Sequence, residues 1–232
     1  MLLSSLLLSA GLASLSFARA ADLQNTIFQS SHTSSTIRDV LVGAEIIGDV
    51  LDDFEPTYDI DLAYPKAHES VRLGNDIPVK AVSKRPTFTF HSLVPTPTKK
   101  NSTFTLVLTD PDATSRADPA KSEMCHWILT NLTLPLSSDT RLGALDIDMS
   151  LDVFKSKEGE LKSYYPPAPP PKTGKHRYVF MLLEGDSESI KSPKERPHWG
   201  YGKVRHGVKD WAKDNHLNVV GANFFYASNK KQ

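Results

Sequence analysis

Two short runs bring acids, imidazoles, a phenol and guanidinium groups together in this 232-residue chain. The first is Asp110-Pro111-Asp112-Ala113-Thr114-Ser115-Arg116, followed after a loop by Cys125-His126-Trp127. The second is Gly174-Lys175-His176-Arg177-Tyr178, entered through Pro166-Pro167-Ala168-Pro169-Pro170-Pro171. Each lies where an apolar strand meets a loop, so together they can furnish a small polar pocket, and the cations suit it to an anion. The same side chains could serve hydrolysis, with Asp110, His126 and His176 holding a metal or a histidine acting as general base. However, neither H-E-x-x-H nor a G-x-S-x-G elbow occurs, so binding ranks ahead of catalysis. The expectation is a site without catalytic residues, metal or cofactor.

Strand alternation decides which of these side chains can meet. In 125–130, His126, Ile128 and Thr130 should share one face, and Cys125, Trp127 and Leu129 the other. Cys125 and His126 then point apart, which rules out a local Cys-His nucleophile pair. In 176–182, His176, Tyr178, Phe180 and Leu182 share a face that turns apolar inward, as the polar mouth of a pocket would. Bland readings exist for each residue alone. Asp110 and Asp112 could be turn formers, His126 a core histidine and Tyr178 plain packing. Arg116 and Arg177 could be solvated charges or partners of the aspartates, because a buried carboxylate needs one. Five prolines within 166–171 make a stiff, donor-poor segment, either a pocket wall or a rigid connector.

The elements that must hold these runs are mostly strands. Apolar residues make up 39% of the chain and charged ones 23%, which suits one folded domain with a real core. Ile60-Asp61-Leu62-Ala63-Tyr64, Thr87–Phe90, Phe104–Leu108, His126–Leu129, Arg177–Leu183 and Val219–Tyr226 read as strands, with a turn at Gly74-Asn75-Asp76. Helices are expected near 36–47 and near 203–214, the latter on a stripe of Val204, Val208, Trp211 and Ala212. The fold class is therefore mainly β, an antiparallel sandwich-like core with peripheral helices near both termini.

Lys plus Arg and Asp plus Glu tie at 27 each, which gives no general reason to bind nucleic acid. Residues 1–20 are Leu-rich and close on Ala18-Arg19-Ala20, the pattern of a secretory signal peptide and too short for a comfortable membrane span. That leaves 21–232 as a single domain, expected to be secreted and monomeric, and not an integral membrane protein. Cys125 is the only cysteine, so no internal disulfide can form. Asn101-Ser102-Thr103 and Asn131-Leu132-Thr133 are N-glycosylation acceptors on such a route.

The two signature runs, with Leu106-Val107-Leu108-Thr109 before the first and Val179-Phe180 after the second, resemble the two blocks of the phosphatidylethanolamine-binding protein family. That family includes Raf kinase inhibitor protein and the fungal carboxypeptidase Y inhibitor. Asp59-Ile60-Asp61-Leu62, Val71-Arg72-Leu73-Gly74-Asn75 and Gly221-Ala222-Asn223-Phe224-Phe225 are similar to its flanking strands, so the likeness covers most of 45–226. The resemblance implies a central antiparallel sheet packed on a smaller one. It also implies a pocket for phosphate or a phospholipid headgroup at Asp110, His126, Pro169, His176 and Tyr178, with Asp112, Arg116 and Arg177 in support. Three positions depart from the usual pattern: Thr114 for proline, Cys125 for a histidine, and Ala168 for a glycine, where a methyl could narrow the entrance. Two functions follow as expectations: a phosphate or headgroup binder, or an inhibitor whose partner is a serine carboxypeptidase.

Overall fold

The computed structural model describes residues 32–94, 103–133, 159–187 and 189–231, and the fold lies within the unit Thr33–Gln232. It opens with helix α1 (Ser34–Gly43), whose N-cap Thr33 accepts a hydrogen bond from the Thr36 amide, and whose Ile37 and Leu41 are buried one turn apart. A short α2 (Ile46–Asp49) follows. The single helix expected over 36–47 is thus two, because Glu45 adopts a left-handed φ of 56° between them.

Strands β1 (Tyr58–Tyr64), β2 (Glu69–Val71) and β4 (Thr87–Ser92) form an antiparallel sheet in the order β2-β1-β4. The larger sheet contains β3 (Asn75–Asp76), β5 (Thr103–Asp110), β6 (Met124–Thr133), β7 (Glu160–Lys162), β8 (Lys175–Gly185) and β9 (Asn218–Ser228), in the order β3-β9-β8-β5-β6-β7. Its pairings are antiparallel except β3 with β9. Helix α3 (Val208–Asp214) precedes β9. The mainly β, two-sheet class expected from the strand pattern is therefore what forms.

Period-2 alternation divides β8 between two cores. Tyr178, Phe180 and Leu182 pack between the sheets with Ile60, Phe90, Phe104 and Phe225. Val179, Met181 and Leu183 face the helices, against Ile37, Leu41, Trp199 and Trp211. The layers are helices, large sheet and small sheet. Gly221 lets the two sheets approach, since a Cβ there would stand 2.6 Å from the Tyr58 carbonyl oxygen.

Two expectations about side-chain direction need correction. Helix α3 begins only at Val208, after Gly207, and Val204 is exposed rather than part of its buried stripe. On β6, Leu108 pairs with Trp127 but Thr109 pairs with Cys125, so His126 is an extra residue in a bulge. The bulge breaks strict alternation. Trp127 and Leu129 face the inter-sheet core, whereas Ile128 joins Cys125 on the helix side. His126 meets Tyr178 on the inter-sheet side, so Cys125 and His126 do point apart.

Candidate functional site

Asp110 closes β5 and His176 opens β8, and both are buried. The Asp110 carboxylate accepts from the Asp112 amide through Oδ1 at 2.8 Å and meets His176 Nδ1 through Oδ2 at 2.9 Å. Thr173 has one hydroxyl hydrogen, directed to the Pro170 carbonyl at 2.8 Å. Its oxygen also lies 2.9 Å from His176 Nε2. Asp110 and Thr173 thus bracket the His176 ring through its two nitrogens. The proline run contributes by presenting that carbonyl on a backbone with little freedom to withdraw it.

His126 is fixed from the other side. Its Nδ1 donates to the Tyr165 carbonyl at 2.6 Å, and the Tyr165 amide donates back to the His126 carbonyl at 2.7 Å. The Nδ1–H tautomer leaves Nε2 unprotonated in the neutral ring. Burial lowers the His126 pKa below the ordinary imidazole value, against a smaller opposing pull from Asp110. The ring stands edge-on to Tyr178 at 5.3 Å and tilted against Tyr165 at 5.4 Å. Tyr178 stacks over Phe225 at 5.3 Å, and burial followed by the nearby Asp110 charge pushes its phenol far up.

Arg177 points to the opposite face. Its guanidinium reaches both Asp112 oxygens, at 2.7 and 3.0 Å, Asp49 at 2.9 Å, and the Ala44 and Glu45 carbonyls at 3.0 Å. Its amide also donates to Asp112 at 2.8 Å. This fork joins β8 and the loop after β5 to the α1–α2 corner. Asp112 and Arg177 thus hold the backbone from which Asp110, His176 and Tyr178 project to the other side.

Asp110, His126, His176 and Tyr178 come together on the inter-sheet side, with Pro169 buried in the proline segment and Ala168 exposed. Arg116 does not join them. It is a surface charge paired with Glu45 at 2.6 Å and lines a separate cleft of about 570 Å³ with Asp76, Thr173 and Lys175. Neither imidazole lines that cleft, although Thr173, which meets His176, forms part of its wall. Asn131 is exposed in a second β6 irregularity with a φ of 60°, while Asn101 and the leader expected at 1–20 lie outside the described residues. Among the described residues no cluster of three or more His, Cys, Asp or Glu is arranged to hold a metal.

Three participants escaped the sequence reading. Thr173 and Tyr165 flank the motifs, and only tertiary hydrogen bonds distinguish them from neighbouring loop residues. Arg196 is distant in sequence. It donates to the carbonyls of Cys125, His126 and Ser163 at 3.1, 3.3 and 2.8 Å and lies 5.4 Å over the Tyr165 ring.

The two-sheet fold thus carries a buried Asp–His pair, a second imidazole and a tyrosine in one small polar site. A sequence model of the phosphatidylethanolamine-binding protein family matches residues 67–225, and the chain belongs to that family. It is 36% identical over 205 residues to the carboxypeptidase Y inhibitor of Saccharomyces cerevisiae, covering 80% of this chain and 91% of that protein. It is 31% identical over 153 residues to TERMINAL FLOWER 1 of Arabidopsis thaliana, covering 66% and 72%. Among solved structures, the carboxypeptidase Y inhibitor complexed with its cognate proteinase superposes with a TM-score of 0.71 at 32% identity, over 87% of this chain and 99% of that one. A phosphatidylethanolamine-binding protein from Plasmodium vivax shares the fold, with a TM-score of 0.63 at 18% identity, over 83% and 97%.

Proposed function

We propose that the protein inhibits a serine carboxypeptidase of the carboxypeptidase Y type. The observation that carries this reading is the likeness to the yeast inhibitor, which extends over 91% of that protein's length and 99% of the inhibitor chain in the complex. A likeness of that extent takes in surface as well as core, and an inhibitor acts through its surface. The leader at 1–20 adds support, because a secretory route would place inhibitor and carboxypeptidase in one compartment. The test is a titration of purified carboxypeptidase Y with the protein lacking residues 1–20, followed by release of the C-terminal residue of a blocked peptide. Stoichiometric loss of activity is expected. Full activity in the presence of a micromolar excess overturns the reading.

A second reading concerns the small site, and the arrangement of Asp110, His126, His176 and Tyr178 favours it. We infer that these residues, with Pro169 as wall, take an oxyanion, either phosphate or the phosphate of an ethanolamine headgroup. Charge-assisted contacts to an imidazolium are worth about 1.5–3 kcal/mol each. Calorimetric titration with inorganic phosphate tests the reading, and the absence of binding at millimolar phosphate sinks it. The inhibitor and oxyanion readings are separable, since one is measured on the protease and the other on the small ligand.

A further inference from the structure

We propose that Arg196, held against the Tyr165 ring, is the positive charge that selects an oxyanion for the His126 site. This rests on the oxyanion reading above. Most charges near the two motifs are already spent. His176 is paired with Asp110, Arg177 with Asp112 and Asp49, Arg116 with Glu45, and Lys175 with Asp76. Glu160, five residues before Tyr165, is engaged by Trp127 and Arg85, and Glu195, next to Arg196 in the chain, makes no ion pair with it among the described residues. Arg196 differs from all of these.

Its four amino hydrogens go to the carbonyls of Cys125, His126 and Ser163 and to the Ser163 hydroxyl. None goes to a carboxylate among the described residues. Carbonyls and hydroxyls satisfy the hydrogen bonds without cancelling the charge, so a full positive charge stays beside the bulge. His126 feels it: Arg196 opposes protonation of the ring, as His176 also does, while Asp110 favours it. Lys162 also ends on a carbonyl, that of Pro193; both it and, more strongly, Arg196 act on Cys125, while Arg196 also acts on His126.

Tyr165 completes the arrangement. It is 48% exposed, its ring lies against both His126 and Arg196, and its backbone sets the His126 tautomer. A neutral His126 offers an acceptor at Nε2, which would repel a bare oxyanion. A nearby uncompensated cation attracts one, and the bound anion can then bring a proton onto His126. Arg196 thus acts on charge and Tyr165 on geometry, and the two imidazoles do not share one role.

The experiment compares the wild type with Arg196→Gln and Arg196→Lys. Each is titrated with inorganic phosphate and with phosphoethanolamine, and the His126 ring is followed against pH by NMR in the ligand-free proteins. The Gln variant should weaken both ligands roughly tenfold, the size of one partly screened ion contact, and raise the His126 midpoint. The Lys variant keeps the charge without the fork, so it should keep affinity within about threefold and leave the midpoint in place. Arg196→Met replaces the Gln variant should that fail to fold. Equal weakening by Lys and Gln would make Arg196 a tether for the carbonyls and overturn the proposal. So would a Gln variant that binds phosphate as the wild type does, with the oxyanion reading left standing. A loss confined to phosphoethanolamine would trace to the ammonium and also overturn it. A wild type that binds neither ligand removes the oxyanion reading and the proposal together.

Discussion

Replacing Glu123 with glutamine should remove most of the pH dependence of stability from this fold. Glu123 is fully buried where β6 begins. Its Oε2 accepts from the Thr109 hydroxyl at 3.1 Å and, weakly, from the Val208 amide at 3.5 Å, while Oε1 has no partner among the described residues. Gly207 is pressed against the carboxyl group, with room for no Cβ. The charged groups facing it are Asp210 and Lys209 on α3, with opposed effects. Burial dominates and raises the pKa from 4.5 to about 8. The folded state therefore holds a proton that the unfolded chain releases above 4.5, so stability is complete below that pH and declines until about 8. At about 1.4 kcal/mol per pH unit, the decline is on the order of 5 kcal/mol. Glutamine is neutral throughout and places an unpaired amide where Oε1 was, a constant cost of about 1–3 kcal/mol. The wild type should be the more stable protein in acid and the variant in alkali. Urea unfolding of both at several pH values between about 4 and 9 measures the difference. A stability gap that stays constant across that range would refute a protonated Glu123.

Two further perturbations address the site and its support. Arg177→Met should cost about 3–5 kcal/mol by leaving the buried Asp112 without its cation, while the part-buried Asp49 keeps Arg205, read as a fall in the urea midpoint; a loss under 1 kcal/mol would contradict the bridging role. Phosphate affinity should fall as pH rises, because the anion favours a protonated His126. Burial lowers the free ring's pKa, so the decline should begin below pH 6.5, about the ordinary imidazole value. Calorimetry in two buffers of different ionisation heat should show proton uptake on binding, and a flat profile would exclude His126 from the contact.

Much of this protein is legible in the chain because β alternation is a local signal. The repeat Tyr178-Val179-Phe180-Met181-Leu182 assigns faces by itself, and β8 obeys it with Tyr178, Phe180 and Leu182 on one core and Val179 and Met181 on the other. The same rule failed on β6, since the bulge at His126 is a matter of register with β5 and leaves no mark in its own sequence. The break at Glu45 was equally hidden: apolar spacing continues across it, but the backbone turns left-handed.

The strand-rich class, the facing of His176 and Tyr178, and the membership carried by the two motifs are all readable from residue order. All three rest on residue type at short spacing. The distribution of charge emerges only in the folded chain. Arg177 and Arg116 are both motif arginines, yet one is buried in a fork on two aspartates and the other is a surface partner of Glu45. Arg196, outside both motifs, is brought over Tyr165 by the chain returning past β6. Glu123 looks like a loop acid in the sequence and becomes a buried neutral carboxyl only when Gly207 closes over it. Charge state depends on which groups lie within a few ångströms and how much water remains, and those neighbours come from segments far apart in the chain.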